Sequence, residues 1–294
     1  EYRRGGFRRR YWRIRGAREL LESSTRTARE PAMGLTVTTE RLSGARGCVG
    51  DVALLGRTIP LFPVERTLRL QPVAEARAAA TPRIGWAAMF MKAYTVVARD
   101  MPVLRTWVAG LVVPRLATAD QSVATLAINR VEEGADRLCW TRIAAPDALP
   151  LPALQHLVDD ALVKPIDEAF PRQLELERTP GWLRRTILRW NMRSTSPKRA
   201  SRIGTFSLST LAGLGATNRF HPTLCTTSLS WAPLEADGRC LVTLIADHRV
   251  LDGAAAARAL HRLEQVLTGD VVAELATLRG ATVSRPADGR PAAA

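Results

Sequence analysis

Lysine is nearly missing from this chain. It occupies three positions, Lys92, Lys164 and Lys198, so the formal charge of +14 and the pI near 11.0 rest almost wholly on arginine. Cysteine is scarce as well. Cys48, Cys139, Cys225 and Cys240 lie far apart, form no Cys-x-x-Cys pair and have no histidine at zinc-ligand spacing. That argues against a disulfide framework and against a zinc site, and no metal is expected. The four read as reduced, mostly buried residues, as in a cytoplasmic protein. No apolar run is long enough to cross a bilayer, and the first residues lack the apolar core of a secretory signal, so neither membrane insertion nor export is expected. Internal repeats are absent, which excludes a solenoid or a propeller.

What is present is a globular composition: 294 residues, 46% apolar and 24% charged. That suffices for one large domain or two small ones. Helix and strand signals alternate, so an α/β or α+β protein is the starting expectation. The positive charge has two readings, a GC-rich coding sequence or an anionic partner. It is densest at the start, where Arg3, Arg4, Arg8, Arg9, Arg10, Arg13 and Arg15 are interleaved with Tyr2, Phe7, Tyr11 and Trp12. Such a mixture can hold single-stranded nucleic acid. No nucleic-acid fold signature follows it, so residues 1–50 are read as a flexible basic arm, and nucleic acid is not the expected partner. The chain begins without Met, and Met33 is an alternative start.

Residues 52–70 carry strand pieces, with an edge strand through Pro63 at 62–70. Residues 85–99 predict a helix, from Trp86, Met89, Phe90, Ala93 and Val97 at helical spacing. Strands are expected at 104–113, 122–131 and 137–144, then a helix over 147–170 interrupted at Pro165. Residues 180–193 predict a basic amphipathic helix with Trp182, Leu183, Ile187, Leu188 and Trp190 as its apolar face. Packing on the sheet is its plain role; a membrane-surface role would rest on basicity alone. Strands follow at 203–210, 225–232 and 239–246, the last two joined by a turn at Asp237-Gly238. A final helix runs from Gly253 to Leu267, with Gly269 placed to stop it. The tail from 273 onward is read as disordered.

The sharpest feature is where the last strand runs into the last helix, through Asp247-His248-Arg249-Val250-Leu251-Asp252-Gly253. A histidine between a strand and a helix is held rigidly and suits a general base near neutral pH. On pattern alone Asp252 is a helix N-cap, Gly253 eases the turn, and His248 could be structural. His156, His221 and His261 lack such a context, although His221 could reach a site from the loop after residue 209. Gly213-x-Gly215 is too short a signal for phosphate binding.

The segment Asp247 to Gly253, with Ala254 and Ala255 behind it, resembles the His-x-x-x-Asp-Gly signature of the dihydrolipoamide acyltransferases, the core subunits of 2-oxoacid dehydrogenase complexes. The chloramphenicol acetyltransferases share that signature. Gly204-Thr205-Phe206-Ser207-Leu208-Ser209-Thr210-Leu211 resembles the family's Gly-x-Phe-Thr-Ile-Ser-x-Leu strand. Ile84-Gly85-Trp86 through Met91-Lys92-Ala93, followed by Pro102-Val103-Leu104, resembles its first core helix. The resemblance covers roughly residues 55–270 in order. It implies an α/β fold with a two-layer mixed β-sheet and helices packed on it, chloramphenicol acetyltransferase-like, with a catalytic domain over 51–272.

By the same resemblance, His248 is the general base that activates a thiol or hydroxyl for direct attack on acyl-coenzyme A, without an acyl-enzyme. Ser209 hydrogen-bonds the oxyanion. Asp252 fixes the His248 loop by pairing with an arginine, for which Arg57 and Arg66 are both candidates, and Gly253 permits close backbone packing. A homotrimer with sites at subunit interfaces is implied, with a lipoyl group supplied in trans by a separate lipoyl-domain protein as one acceptor. Ser209 is outside any Gly-x-Ser-x-Gly, which argues against a serine hydrolase.

Departures fall on the acceptor side. None of the three lysines sits in an Asp-Lys-Ala turn, and no peripheral-subunit-binding domain is evident in residues 1–50. Phe220-His221-Pro222-Thr223 stands where the family has Asn-x-Pro. Asp136-Arg137-Leu138-Cys139-Trp140-Thr141-Arg142 stands where it has Gly-Leu-x-x-Pro-Val. Two rival readings remain: a non-catalytic trimeric scaffold of the same fold, and a basic nucleic-acid or membrane-surface binder using residues 1–30 and 182–193.

Overall fold

The structure is a computed structural model that describes residues 38–132 and 134–279. The N-terminal arginine cluster, Met33 and the chain beyond residue 279 lie outside the described residues.

Among the described residues, eight strands and ten α-helices follow one another. They are α1 (Gly44–Gly56), β1 (Leu61–Arg69), α2 (Gln71–Ala79), α3 (Trp86–Asp100), β2 (Thr106–Ala109), β3 (Arg115–Thr118), β4 (Val123–Glu132) and β5 (Ala135–Ala144). Then come α4 (Leu151–Val163), α5 (Ile166–Ala169), α6 (Pro171–Arg178), α7 (Gly181–Arg193), α8 (Lys198–Ile203), β6 (Phe206–Leu208), β7 (Thr227–Trp231), β8 (Arg239–Asp247), α9 (Gly253–Val266) and α10 (Val272–Thr277). Six strands form a mixed sheet in the order β1-β8-β7-β6-β4-β5, and β2 and β3 form a separate hairpin. The pairs β4–β6 and β6–β7 are parallel and the other pairs antiparallel. This is the expected mixed sheet with helices packed on it.

Alternation along the strands gives the sheet two unlike faces. On one face Leu126, Leu208, Leu229, Leu244 and Val64 lie side by side in register across five strands. They enter the main core with Phe90 and Tyr94 of α3 and Leu260 and Leu263 of α9. Phe90 stacks on Trp231 at 4.4 Å, and the buried Tyr94 hydroxyl donates to Thr227 Oγ1 at 2.8 Å. Burying one leucine of this row is worth about 2–3 kcal/mol. On the other face α1 and α7 pack together around a smaller core of Leu55, Leu188, Ile203, Leu224 and Cys225.

The strand expected at 104–113 is a 3₁₀ turn, Pro102–Arg105, followed by the short β2, and α2 is a helix that the sequence reading omits. Three further regions differ from the sequence reading. Residues 44–50, assigned to a flexible arm, are the first turns of α1, capped by Ser43, whose side chain accepts from Arg46 N at 3.2 Å. Two of the glycines in its first turns are there for close packing. A Cβ on Gly44 would come within 2.6 Å of Glu177 O, and one on Gly47 within 2.9 Å of the Arg184 guanidinium. Gly269 does not stop the last helix. The chain passes it in a wide turn, Leu267–Val271, and continues as α10 into the expected tail, because Leu267, Val271 and Leu275 extend the buried stripe. Finally, α7 is turned relative to its expected face. Arg184, Leu188 and Asn191 are buried, while Trp182 is 67% and Trp190 61% exposed. The cause is Asp51 on α1, buried beside α7, which accepts from Arg184 Nε at 2.6 Å and Arg185 Nη1 at 3.2 Å. A buried carboxylate needs that partner more than the tryptophans need burial.

Candidate active site

The sheet delivers His248 at the end of β8. Asp247, the last residue of the strand, is buried, and its carboxylate accepts from Arg249 N, Nε and Nη2 at 3.0, 2.9 and 2.7 Å. Its carbonyl accepts from the N–H groups of Val250 and Leu251, and His248 N donates to Pro60 O at 2.9 Å. The ring lies 4.5 Å from that of Phe62 on β1. The backbone is therefore pinned from both sides, while the His248 side chain is 57% exposed.

The expected supports of this loop are not where the sequence reading put them. Asp252 is 86% exposed, makes no capping hydrogen bond, and approaches only His248 Nδ1, at 3.6 Å, too far for a hydrogen bond. It pairs with neither candidate arginine. Arg57 ends α1 on the surface. Arg66 is engaged by Glu264 at 3.1 Å and touches His261. The ion pair that fixes the loop is Asp247–Arg249, because the buried carboxylate requires compensation and the solvated one does not. The signal for it was legible as an acid and an arginine flanking the histidine. Gly253 is also not required for packing within the chain, since a Cβ there would meet nothing within 4 Å.

Ser209 follows β6 and is fixed by its own N–H, which donates to Leu229 O at 3.1 Å. Thr210 Oγ1 donates to Trp231 O at 2.7 Å and holds the turn beyond. Gly204 lies between α8 and β6; its φ is +96° and a Cβ there would stand 2.3 Å from Thr125 Oγ1, so both conformation and space demand glycine.

Ser209 lines a cavity of about 800 Å³ between the second face of the sheet and helices α1, α6, α7 and α8. His221 lines it too, as the loop after Ser209 allowed, and belongs to a chain of hydroxyls. His221 Nε2 lies 2.6 Å from Ser228 Oγ, Ser207 Oγ donates to Ser228 Oγ at 2.7 Å, and Ser207 and Thr223 hydroxyls are 2.9 Å apart. Burial pushes the His221 pKa down to about 4, so the ring is neutral at pH 7. His248 is not among the residues lining this cavity. One chain thus brings Ser209 together with His221, and does not place His248 beside them.

The remaining singled-out residues are peripheral. His156 is exposed and faces Asp160 at 3.4 Å, and His261 lies on the surface of α9. All four cysteines are buried and free, and burial raises the thiols of Cys48 and Cys240 to about 11. Such thiols are poor nucleophiles.

Compared by sequence alone, the chain matches no protein-family model and no curated protein. Its fold has clear relatives. A probable dihydrolipoamide acetyltransferase from Listeria monocytogenes superposes with a TM-score of 0.56 at 14% identity, covering 84% of this chain and 98% of that one. The truncated catalytic core of the 2-oxoacid dehydrogenase multienzyme complex from Thermoplasma acidophilum gives 0.60 at 15% identity, over 79% and 99%. The dihydrolipoamide acetyltransferase of Azotobacter vinelandii, in which a serine, a histidine and an asparagine were investigated for their catalytic roles, gives 0.59 at 17% identity, over 82% and 94%. The chain has the fold of these acetyltransferase catalytic cores.

Proposed function

We propose that this protein is a CoA-dependent acyltransferase that moves an acyl group between CoA and a thiol or hydroxyl acceptor. The observation that carries the reading is the His-x-x-x-Asp-Gly segment, which lies at the junction of β8 and α9 in a chain with the acetyltransferase-core fold. His248 Nε2, the ring nitrogen turned away from Asp252, takes the proton of the acceptor as it attacks the thioester carbonyl. The Ser209 hydroxyl donates to the oxyanion that forms. Collapse breaks the carbon–sulfur bond, and the CoA thiolate leaves with the proton from His248. Acyl-CoA and acceptor must be bound together, and no acyl-enzyme forms. Asp252 stands where the Azotobacter enzyme's asparagine would be sought by motif.

His248 is exposed and Ser209 faces a separate cavity, so a single chain leaves the base uncovered by any second wall. Acyl transfer needs water kept out. A trimer in which His248 of one chain closes over Ser209 of the next supplies that wall, and the cubic core of a pyruvate dehydrogenase complex is among the structures of this fold. The acceptor is a lipoyl group on another protein or a free small molecule.

The test is an end-point assay with acetyl-CoA and dihydrolipoamide, the S-acetyl product being separated chromatographically. Wild type is expected to form product, His248→Ala to lose about 10²–10⁴ in rate and Ser209→Ala about 10²–10³. Mixing the two variants before refolding should restore about a quarter of the activity, since a shared site recovers both groups. Equal activity in wild type and His248→Ala, or no binding of acetyl-CoA at all, would overturn the reading.

A further inference from the structure

The second face of the sheet carries a cation that nothing among the described residues neutralises. In register, Arg142 on β5 lies opposite Thr125 on β4, Thr125 opposite Ser207 on β6, and Ser207 opposite Ser228 on β7. Arg142, Thr125 and Ser207 of this polar row line the cavity that Ser209 and His221 also line. Arg142 Nε is buried without a hydrogen-bond partner, and no carboxylate is among the groups that act on its charge. Burial above all, and then the charge of Arg172, depress its pKa. Arg137 and Arg199 also have an unpartnered Nε, yet their other nitrogens are held, by Glu132 and Glu177 and by the carbonyls of Gly204 and Leu224. Arg142 has no such compensation among the described residues.

The surroundings repeat the sign. Arg172, Lys198 and Arg202 stand around the cavity, against the single carboxylate Glu175. The carboxylates of the neighbouring helices are taken, Asp51 by Arg184 and Arg185, and Glu177 by Arg137. An uncompensated arginine in a partly buried site costs stability, and it persists where a bound oxyanion offsets that cost. A guanidinium fork matches a carboxylate or a phosphate with two parallel hydrogen bonds.

We propose that this cavity binds a small acid, its carboxylate or phosphate held by Arg142, and that this acid is the acyl acceptor. The acceptor role rests on the acyl-transfer reading; the oxyanion site does not. The distances favour a separate acid over CoA itself. Arg142 and Ser207 are two strand spacings apart, about 10 Å, and Ser209 is the next residue on that face of the chain after Ser207. A short acid anchored at Arg142 brings a thiol or hydroxyl to Ser209. The phosphates of CoA are separated from its sulfur by the whole pantetheine arm, which is longer than that gap. Arg142 also ends the segment that departs from the Gly-Leu-x-x-Pro-Val pattern, so the family's acceptor need not be this chain's.

Succinate and inorganic phosphate serve as probes, titrated without CoA into the full chain by calorimetry and by thermal shift. At least one should bind the wild type with one site per chain, and Arg142→Leu should weaken that binding about tenfold or more. Ligand-free Arg142→Leu should melt at the same or a higher temperature, and its affinity for acetyl-CoA should not change. Arg142→Lys, which keeps the charge and loses the fork, should weaken the probes several-fold and stands in should the leucine variant not fold. The proposal is wrong if neither probe binds the wild type, if both variants bind the probes as wild type does, or if acetyl-CoA is what Arg142→Leu loses. Intact succinate binding with no acetyl-CoA binding would instead retract the acyl-transfer reading and the acceptor role, and leave the oxyanion site standing.

Discussion

The two faces of the central sheet are built from the same strands in adjacent rows, and they are chemically opposite. One row presents Leu126, Leu208, Leu229 and Leu244 to α3 and α9. The next presents Arg142, Thr125 and Ser207 to a cavity, with Ser228 buried behind them and bonded to Ser207 and His221. A step of one residue along each strand separates them. The first face is saturated with apolar contacts and does nothing but hold the fold. The second carries hydroxyls, a neutral histidine and an uncompensated cation, and one of its hydroxyls, Ser230 Oγ, is buried without a partner. Polar groups buried at that density are costly unless something uses them. The apolar face supplies the stability, and the groups able to do chemistry are gathered on the polar one.

The contrast can be broken most severely on the apolar side. Leu229→Ala should lose about 2–5 kcal/mol of stability, from lost transfer energy and the cavity left behind, measured by urea denaturation. A loss below that range would mean that the leucine row is loosely packed.

On the polar side the largest expected effect is a pH dependence. The His221 pKa is lowered from 6.5 to about 4 in the fold by burial. Between those values the unfolded chain takes up a proton that the folded chain refuses, so stability falls as pH falls through that window and levels off below it. The part of this contribution lost between pH 7 and pH 5 is about 2 kcal/mol. His221→Gln should remove that part of the slope when urea midpoints are compared at pH 7 and pH 5. An unchanged slope would place His221 in a more hydrated setting.

Smaller still is Ser228→Ala, which strips a partner from both His221 and Ser207 and should cost about 1–2 kcal/mol. Combined with Ser207→Ala, it should show a coupling of about 0.5–1 kcal/mol, whereas strict additivity would mean that the hydroxyls do not act as a chain. At the bottom of the scale, Arg66→Ala removes a half-exposed ion pair with Glu264 and should change stability by no more than about 0.5 kcal/mol, with no effect on acetyl transfer. A clear loss of activity would restore Arg66 as a support of the His248 loop.

Much of the fold was legible in the residues. The helix over Trp86–Asp100 and the strand Arg239–Asp247 follow from local periodicity, because every second or every third-to-fourth side chain must face the core. The place of His248 at a strand–helix junction followed for the same reason. The misreadings have one common cause. Gly44 and Gly47 of α1 look like part of a loop until α6 and α7 press against them. The tryptophans of α7 look buried until Asp51 claims Arg184. Asp252 looks like the residue to be paired until Asp247 proves to be the buried one.

The alternation of the strands, the helical stripes and the spacing of His248, Asp252 and Gly253 could be read without a structure, since each depends only on neighbours along the chain. Folding was needed to put Arg142, Thr125, Ser207 and Ser228 in one row, to fold His221 over its end, and to turn Ser209 and His248 toward different spaces. Those facts depend on which strands pair and in what register, and cross-strand pairing is fixed by burying the leucine face as a whole, not by any local stretch of residues.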